Sequence, residues 1–257
     1  MVILALLVTG LIAGILGALL GLGGGTFLVP ALTLLFHLPI RTTVGTSLVG
    51  VIATSAGVAA VAPRGRGADV ALALRLEVAT TAGAISGSLV AGWVSARALM
   101  VLFALVVFFT AAYLLYKARH RPSSKVPERL FQRDYRLHHW PLGLAGSGLA
   151  GMISGLLGMG GGFIKAPIMY AVMGAPLGVA TATSNFMVGI TAAASVFVYY
   201  GRGDIHPLVV IPTALGVFLG AMVGVYVMPR LRVAWLRQAL IGLLVLMGVQ
   251  MLLRGLS

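Results

Sequence analysis

Two glycine triplets, Gly23-Gly24-Gly25 and Gly160-Gly161-Gly162, are the residues whose spacing first suggests chemistry. Each opens a short apolar stretch that contains a proline, Pro30 or Pro167. A helix that starts just after such a turn presents unpaired backbone N–H groups and the positive end of its dipole. That combination holds anions, and two such ends brought together would hold a small oxyanion. A tight turn that lets helices pack closely would use the same glycines. Neither triplet is a nucleotide phosphate loop, because no Gly-Lys-Ser/Thr ending follows it.

Other polar groups lie near these turns. Lys165 sits two residues before Pro167, where the first half of the chain has Leu28. An ammonium in a membrane is costly unless it is paired, hydrated or drawn to the surface. Lys165 is therefore a candidate for attracting substrate, with snorkelling or a structural contact as the alternatives. Thr46-Ser47 and Thr183-Ser184-Asn185 open two later apolar segments. Hydroxyls and an amide donate to an oxyanion without charging the site, and the same groups serve interhelical hydrogen bonds and caps. Arg75 and Glu77 sit within another apolar segment. They could gate or couple transport to protons, or pair with neighbours at the headgroup level. Asp204 and His206 read as surface or capping groups. With no Cys and no His pair at helical spacing, neither a metal nor a cofactor is expected. No constellation of an enzyme is evident.

The elements that must position these groups follow from composition. Of 257 residues, 60% are apolar and 9% charged, against roughly 25% charged in an average soluble domain. The few charges cluster between long apolar runs, so the solvent is lipid. Runs near twenty residues exclude a transmembrane β-barrel, whose strands are about ten residues and alternate. The net charge of +13 concentrates over 117–137, which reads as a cytoplasmic loop drawn to anionic lipid rather than a nucleic-acid surface. The apolar start over 1–22 has no basic residue before it and reads as a retained segment rather than a secretory signal.

Five segments fill each half: about 2–20, 26–37, 42–62, 69–94 and 97–116, then about 141–157, 163–174, 180–200, 205–228 and 235–253. Gly25 and Gly162, Pro30 and Pro167, Pro39 and Pro176, and Thr46-Ser47 and Thr183-Ser184 all keep one offset of 137 residues. Gly83 and Gly87 match Gly216 and Gly220 at 133. The chain is internally duplicated: a first membrane repeat over 1–117, a basic cytoplasmic loop over 118–140 and a second membrane repeat over 141–257. The paired glycines at four-residue spacing read as helix-packing stripes.

The second segment of each half is too short to cross alone. Eleven or twelve residues rise about 17–18 Å, against a hydrocarbon core of about 30 Å. It is a re-entrant or broken span, whose unpaired backbone must lie against protein or a wet cavity. If the first two segments return to one side, each repeat crosses an odd number of times, and the second is inserted upside down. The expected fold is an all-α polytopic membrane protein with two inverted-topology repeats and about 8 to 10 membrane segments. Placing 117–140 inside also puts Arg64, Arg66, Arg230 and Arg232 inside, and leaves Arg41, Arg97, Arg202 and Arg254 outside.

Gly-Leu-Gly-Gly-Gly-Thr-Phe-Leu-Val-Pro at 21–30, its echo Gly-Met-Gly-Gly-Gly-Phe-Ile-Lys-Ala-Pro at 158–167, and Ala-Thr-Ala-Thr-Ser-Asn at 180–185 resemble the sulfite exporter TauE/SafE family over nearly the whole chain. The resemblance implies a secondary transporter of the cell inner membrane. It would export a small sulfur-containing anion such as sulfite, sulfoacetate or a related organosulfonate. The family's glycine- and proline-rich segments map onto 21–30 and 158–167, and its polar stretch onto 181–185. Leu28 and Leu48 stand where the second copy has Lys165 and Asn185, so the site is expected to be asymmetric. An anion channel and a scaffold without cargo are the rival readings. Proton coupling and a homodimer stay open.

Overall fold

The computed structural model describes residues 1–20, 23–61, 68–120, 135, 137–227 and 233–256. Ten α-helices follow one another among them: α1 Val2–Leu20, α2 Gly25–Leu35, α3 Ile40–Val61, α4 Val70–Trp93, α5 Ala96–His120, α6 Trp140–Leu157, α7 Gly162–Pro167, α8 Leu177–Gly201, α9 Pro207–Val227 and α10 Val233–Leu256. Arg64, Arg66, Arg230, Arg232 and most of the basic loop lie outside the described residues. Six helices (α1, α3, α4, α6, α8 and α9) are long and apolar enough to cross a membrane, and the apolar stretch of α2 is shorter. Large apolar side chains such as Val78, Phe197 and Leu208 stand exposed. A soluble protein rarely exposes contiguous apolar patches of large area, whereas lipid is their natural solvent here.

The two short elements handle their prolines differently. Pro30 lies inside α2, which continues to Leu35. In the second half α7 ends at Pro167 and the chain widens into a π-helical turn over Ile168–Val172. Proline has no N–H to donate and crowds the carbonyl four residues earlier. The wider winding accommodates this, and Met173 N–H reaches back five residues to Ile168 O at 3.1 Å. The second short segment is thus one interrupted helix rather than a uniform one.

Pairing between helices respects the duplication. α1 packs on α9, α4 on α6, α3 on α8 and α5 on α10. Exchanging the halves turns the α1–α9 pair into the α6–α4 pair. The first two contacts are built on the glycine stripes. A Cβ at Gly87 would stand 2.1 Å from Met152 O, and one at Gly220 2.1 Å from Leu11 O. The backbones touch because no side chain separates them. The register rises together along both partners: Gly10 meets Thr213 and Gly14 meets Val217, while Gly151 meets Thr80 and Gly155 meets Ala84. So α1 runs parallel to α9, and α4 to α6. Both stripes are consumed within the chain.

Overpacking a close helix contact costs about 1–3 kcal/mol. Gly87→Val and Gly220→Val should each lower the unfolding temperature of the detergent-solubilised protein, while Ala82→Val on the exposed face of α4 should leave it unchanged.

Candidate functional site

The two glycine-rich breaks meet at the centre of the protein. A Cβ on Gly25 would lie 2.1 Å from Gly158 O of the other half. Gly23 and Gly160 have nearly the same backbone angle, φ 76° and 78°, in the left-handed region that favours glycine. Both rest against the same two side chains, Val51 of α3 and Val188 of α8, which are themselves equivalent positions of the repeat. The copies part company one residue later, where Gly24 is right-handed (φ −62°) and Gly161 left-handed (φ 70°).

Side chains of α3 and α8 satisfy the broken backbone. Gly24 N–H donates to Thr54 Oγ1 at 3.2 Å. The Ser47 hydroxyl lies 2.9 Å from Gly158 O and 2.8 Å from Val44 O. Ser184 donates to Gly162 O at 3.2 Å. The hydroxyls of Ser47 and Ser184 are therefore engaged by carbonyls in this conformation. Thr183 accepts from Asp69 N–H at 2.9 Å, which ties α8 to the start of α4. Thr46 is buried and its hydroxyl has no partner among the described residues. Gly23 and Asn185, with Thr54, Ser55 and Val188, line a cavity of about 20 Å³. That is room for about one water.

Lys165 is 0% exposed and Glu77 6%, so neither snorkels to a surface in this structure. They are joined through a residue that sequence reasoning passed over. Lys165 Nζ donates to Thr191 Oγ1 at 2.5 Å, and Thr191 donates to Glu77 Oε1 at 2.6 Å. The Met187 carbonyl, 2.9 Å away, competes for that one hydroxyl proton. Thr81 adds a bond to Glu77 Oε1 at 3.3 Å. Glu77 Oε2 is buried without a partner among the described residues. The signal for Thr191 was present in the repeat: it is Thr54 displaced by 137 residues. Both threonines also bond the carbonyl four residues earlier. Arg75 is not part of this group. It is exposed on α4, over the ring of Trp140 at 5.5 Å.

At the edge of the membrane region Asp69 caps α4. It accepts from Leu72 N–H at 2.9 Å and from the Tyr135 hydroxyl at 2.6 Å. Burial by itself would raise the Asp69 carboxyl. The donors Leu72, Tyr135 and Ala71, with the charge of Arg75, outweigh it and hold the carboxyl below its ordinary value. Burial and the Asp69 carboxylate push the Tyr135 hydroxyl up.

Paired glycine breaks and a buried ionised relay inside an all-helical, polytopic chain define a membrane transporter. The comparisons agree: the chain belongs to the family described as Sulfite exporter TauE/SafE, which matches residues 6–251. It is similar to the probable membrane transporter protein YunE of Bacillus subtilis (strain 168), with 27% identity over 265 residues and 97% of each chain covered. The probable membrane transporter protein MJ0441 of Methanocaldococcus jannaschii is 28% identical over 269 residues, covering 96% of this chain and 94% of its own. The probable membrane transporter protein YdhB of Bacillus subtilis (strain 168) is 27% identical over 226 residues, covering 87% and 88%. No solved structure matches the chain. The protein is thus a multi-pass transporter of the inner membrane and not an enzyme.

Removing one member of a buried ion pair costs about 3–5 kcal/mol, because the other charge is left uncompensated. Glu77→Leu should therefore lower stability strongly, and Glu77→Leu with Lys165→Met should recover most of the loss. Unfolding in detergent of the two singles and the double measures the coupling. Additive losses would show that the relay is not a unit. The folded Asp69 carboxyl lies below its ordinary value of 3.8. Its contribution is present above that pH and disappears as pH falls through the folded value. Unfolding temperature should drop less over that acid range in Asp69→Asn than in the wild type.

Proposed function

We propose that this transporter exports a small sulfur-containing anion, such as sulfite, sulfoacetate or a related organosulfonate, by alternating access. The observation that carries the reading is the meeting of both glycine breaks, Gly25 against Gly158, between α3 and α8. The anion would sit where Gly23, Gly24, Gly25, Gly160, Gly161 and Gly162 converge. Thr46, Ser47, Thr183, Ser184 and Asn185 would be its neutral donors as the helices part. A cavity of about 20 Å³ cannot admit such an anion, so this conformation is a closed one. A closed centre favours a transporter over a standing channel.

The halves 1–117 and 141–257 act as two inverted repeats joined by the basic loop at 118–140. The parallel pairs support this. Asp204, just before α9, lines the same mouth as Ala96, just after α4. α1 enters beside α9 and therefore from that mouth, whereas α6 enters beside α4 and therefore from the opposite face. One repeat would rock against the other around the glycine centre. Lys165 supplies the attraction for the anion, and an arriving anion competes with Glu77 for it. Glu77, with Oε2 unpartnered, is the group on which a coupling proton would reside. Arg75 would serve as a gate at the other mouth. Moving one negative charge outward through 100 mV, inside negative, is favourable by about 2.3 kcal/mol, so export has a driving force in the membrane potential alone.

Flux into and out of proteoliposomes, measured for sulfite, thiosulfate, sulfate, sulfoacetate and taurine with and without a pH gradient, tests the reading. Sulfur oxyanions or sulfonates should show saturable flux and counterflow. High flux without counterflow would make the protein a channel. Lys165→Gln should weaken apparent affinity about tenfold, the loss of one charge-assisted contact. An unchanged affinity would remove Lys165 from the anion path.

A further inference from the structure

A second positively charged site lies away from the glycine centre. The turn between α2 and α3, the start of α5 and the end of α10 enclose an open cavity of about 780 Å³. Its wall carries the guanidinium groups of Arg41 and Arg254, with His37 and Asp204 beside them. Asp204 does not neutralise the arginines that line the cavity, because Arg202 holds it. Arg202 Nε donates to Asp204 Oδ2 at 2.9 Å, and Nη2 lies 2.8 Å from the same oxygen.

Arg254 has a structural use. It donates to Thr33 O at 2.8 Å and Leu34 O at 3.5 Å, and its Nη2 lies 3.3 Å from His37 Nε2. Carbonyl oxygens at the end of α2 orient the guanidinium but do not cancel its charge. Arg41 is harder to explain structurally. It is the second residue of α3, whose first turn has no acidic residue. A cation there opposes the positive end of the helix dipole, where anions are favoured. One bond, from Nη2 to Val94 O at 3.0 Å, holds it. Its Nε is buried with no partner among the described residues. α5, which starts at the same mouth with Arg97 at its second position, also has no acid in its first turn. A roomy cavity thus has two guanidiniums, a helix start and a buried unused N–H donor, while its one lining carboxylate is already paired.

We infer that this cavity is an oxyanion-binding vestibule, with Arg41 as its principal ligand and Arg254 as a second fixed charge. A planar guanidinium presents paired donors that match two oxygens of a sulfur or phosphorus oxyanion. The site goes beyond the central one and does not rest on the identity of the cargo. A soluble anion would be gathered there before entry or after release, as positively charged clefts raise the local concentration of their ligands. An anionic lipid headgroup presents the same oxygens to the same donors.

The test uses the whole protein in neutral maltoside micelles, at ionic strength held constant with gluconate. Unfolding temperature is measured against sulfite, sulfate and, in a separate arm, phosphatidylglycerol. Saturable stabilisation is expected in the wild type. Its midpoint should shift about tenfold in Arg41→Gln and less in Arg41→Lys, which keeps the charge but loses the fork. Saturation by phosphatidylglycerol alone, still dependent on Arg41, would identify a headgroup as the occupant of the site. No saturable stabilisation by any of the three, or the same midpoint in the wild type and Arg41→Gln, would overturn the vestibule. Because this assay reads binding without flux, an Arg41-dependent midpoint in a protein that moves no sulfur anion would leave the vestibule standing and remove only the proposed cargo.

Discussion

Backbone that leaves a helix inside hydrocarbon must find its hydrogen bonds within the protein, since lipid offers none. Much of this structure serves that constraint. Each half interrupts its helices at a glycine triplet, and the interruption is satisfied from α3 and α8. Thr54 takes the Gly24 N–H, Ser47 serves Gly158 O and Ser184 serves Gly162 O. Tyr199 reaches Gly155 O at 3.0 Å from farther along α8. An average interhelical hydrogen bond in a membrane contributes only about 0.6 kcal/mol. Their weight lies in the alternative, because an unsatisfied buried carbonyl or N–H costs more than a made bond returns. The hydroxyls therefore fix where α3 and α8 cross, and with them the glycine centre.

The same constraint accounts for the asymmetry between halves. Thr54 and Thr191 are one position of the ancestral unit, and both still bond the carbonyl one turn back. In the first half the remaining capacity of the threonine goes to a backbone N–H. In the second it goes to a buried ammonium and a buried carboxylate. Leu28 needs no partner, whereas Lys165 does, and Glu77 of the first repeat supplies one across the interface between halves. A relay that crosses this interface feels any relative motion of the repeats. This makes it a suitable place to link the charge of a passenger to the conformation of the transporter.

Charge is distributed in layers. The centre holds one relayed pair. The mouth bounded by α3, α5 and α10 holds arginines set against helix starts and carbonyls. At the opposite end Asp69 caps α4 and collects the Tyr135 hydroxyl, while Arg75 lies over Trp140. An anion would therefore meet guanidinium at the mouth, then neutral donors and a partly compensated ammonium within. That order suits passage, because the deepest site holds its ligand with the least uncompensated charge.

Much of this was legible in the residues alone. Long apolar runs in a chain with so few charges leave no solvent but lipid. The recurring offset of 137 residues announces two copies of one unit, because chance does not hold a register over glycines, prolines and hydroxyls together. The short second segment of each half follows from length against bilayer thickness. What the sequence could not reveal was which partners those residues would choose. Lys165 and Glu77 lie in different halves, and nothing local to either points to the other; only the packing of α4 on α8 brings both to Thr191. Ser47 and Ser184 read as donors for a ligand, yet the nearness of two glycine carbonyls claims their hydroxyls in this conformation. Periodicity and composition are local properties and are written along the chain, whereas the compensation of a buried charge depends on which surfaces meet, and that is settled only when the helices pack.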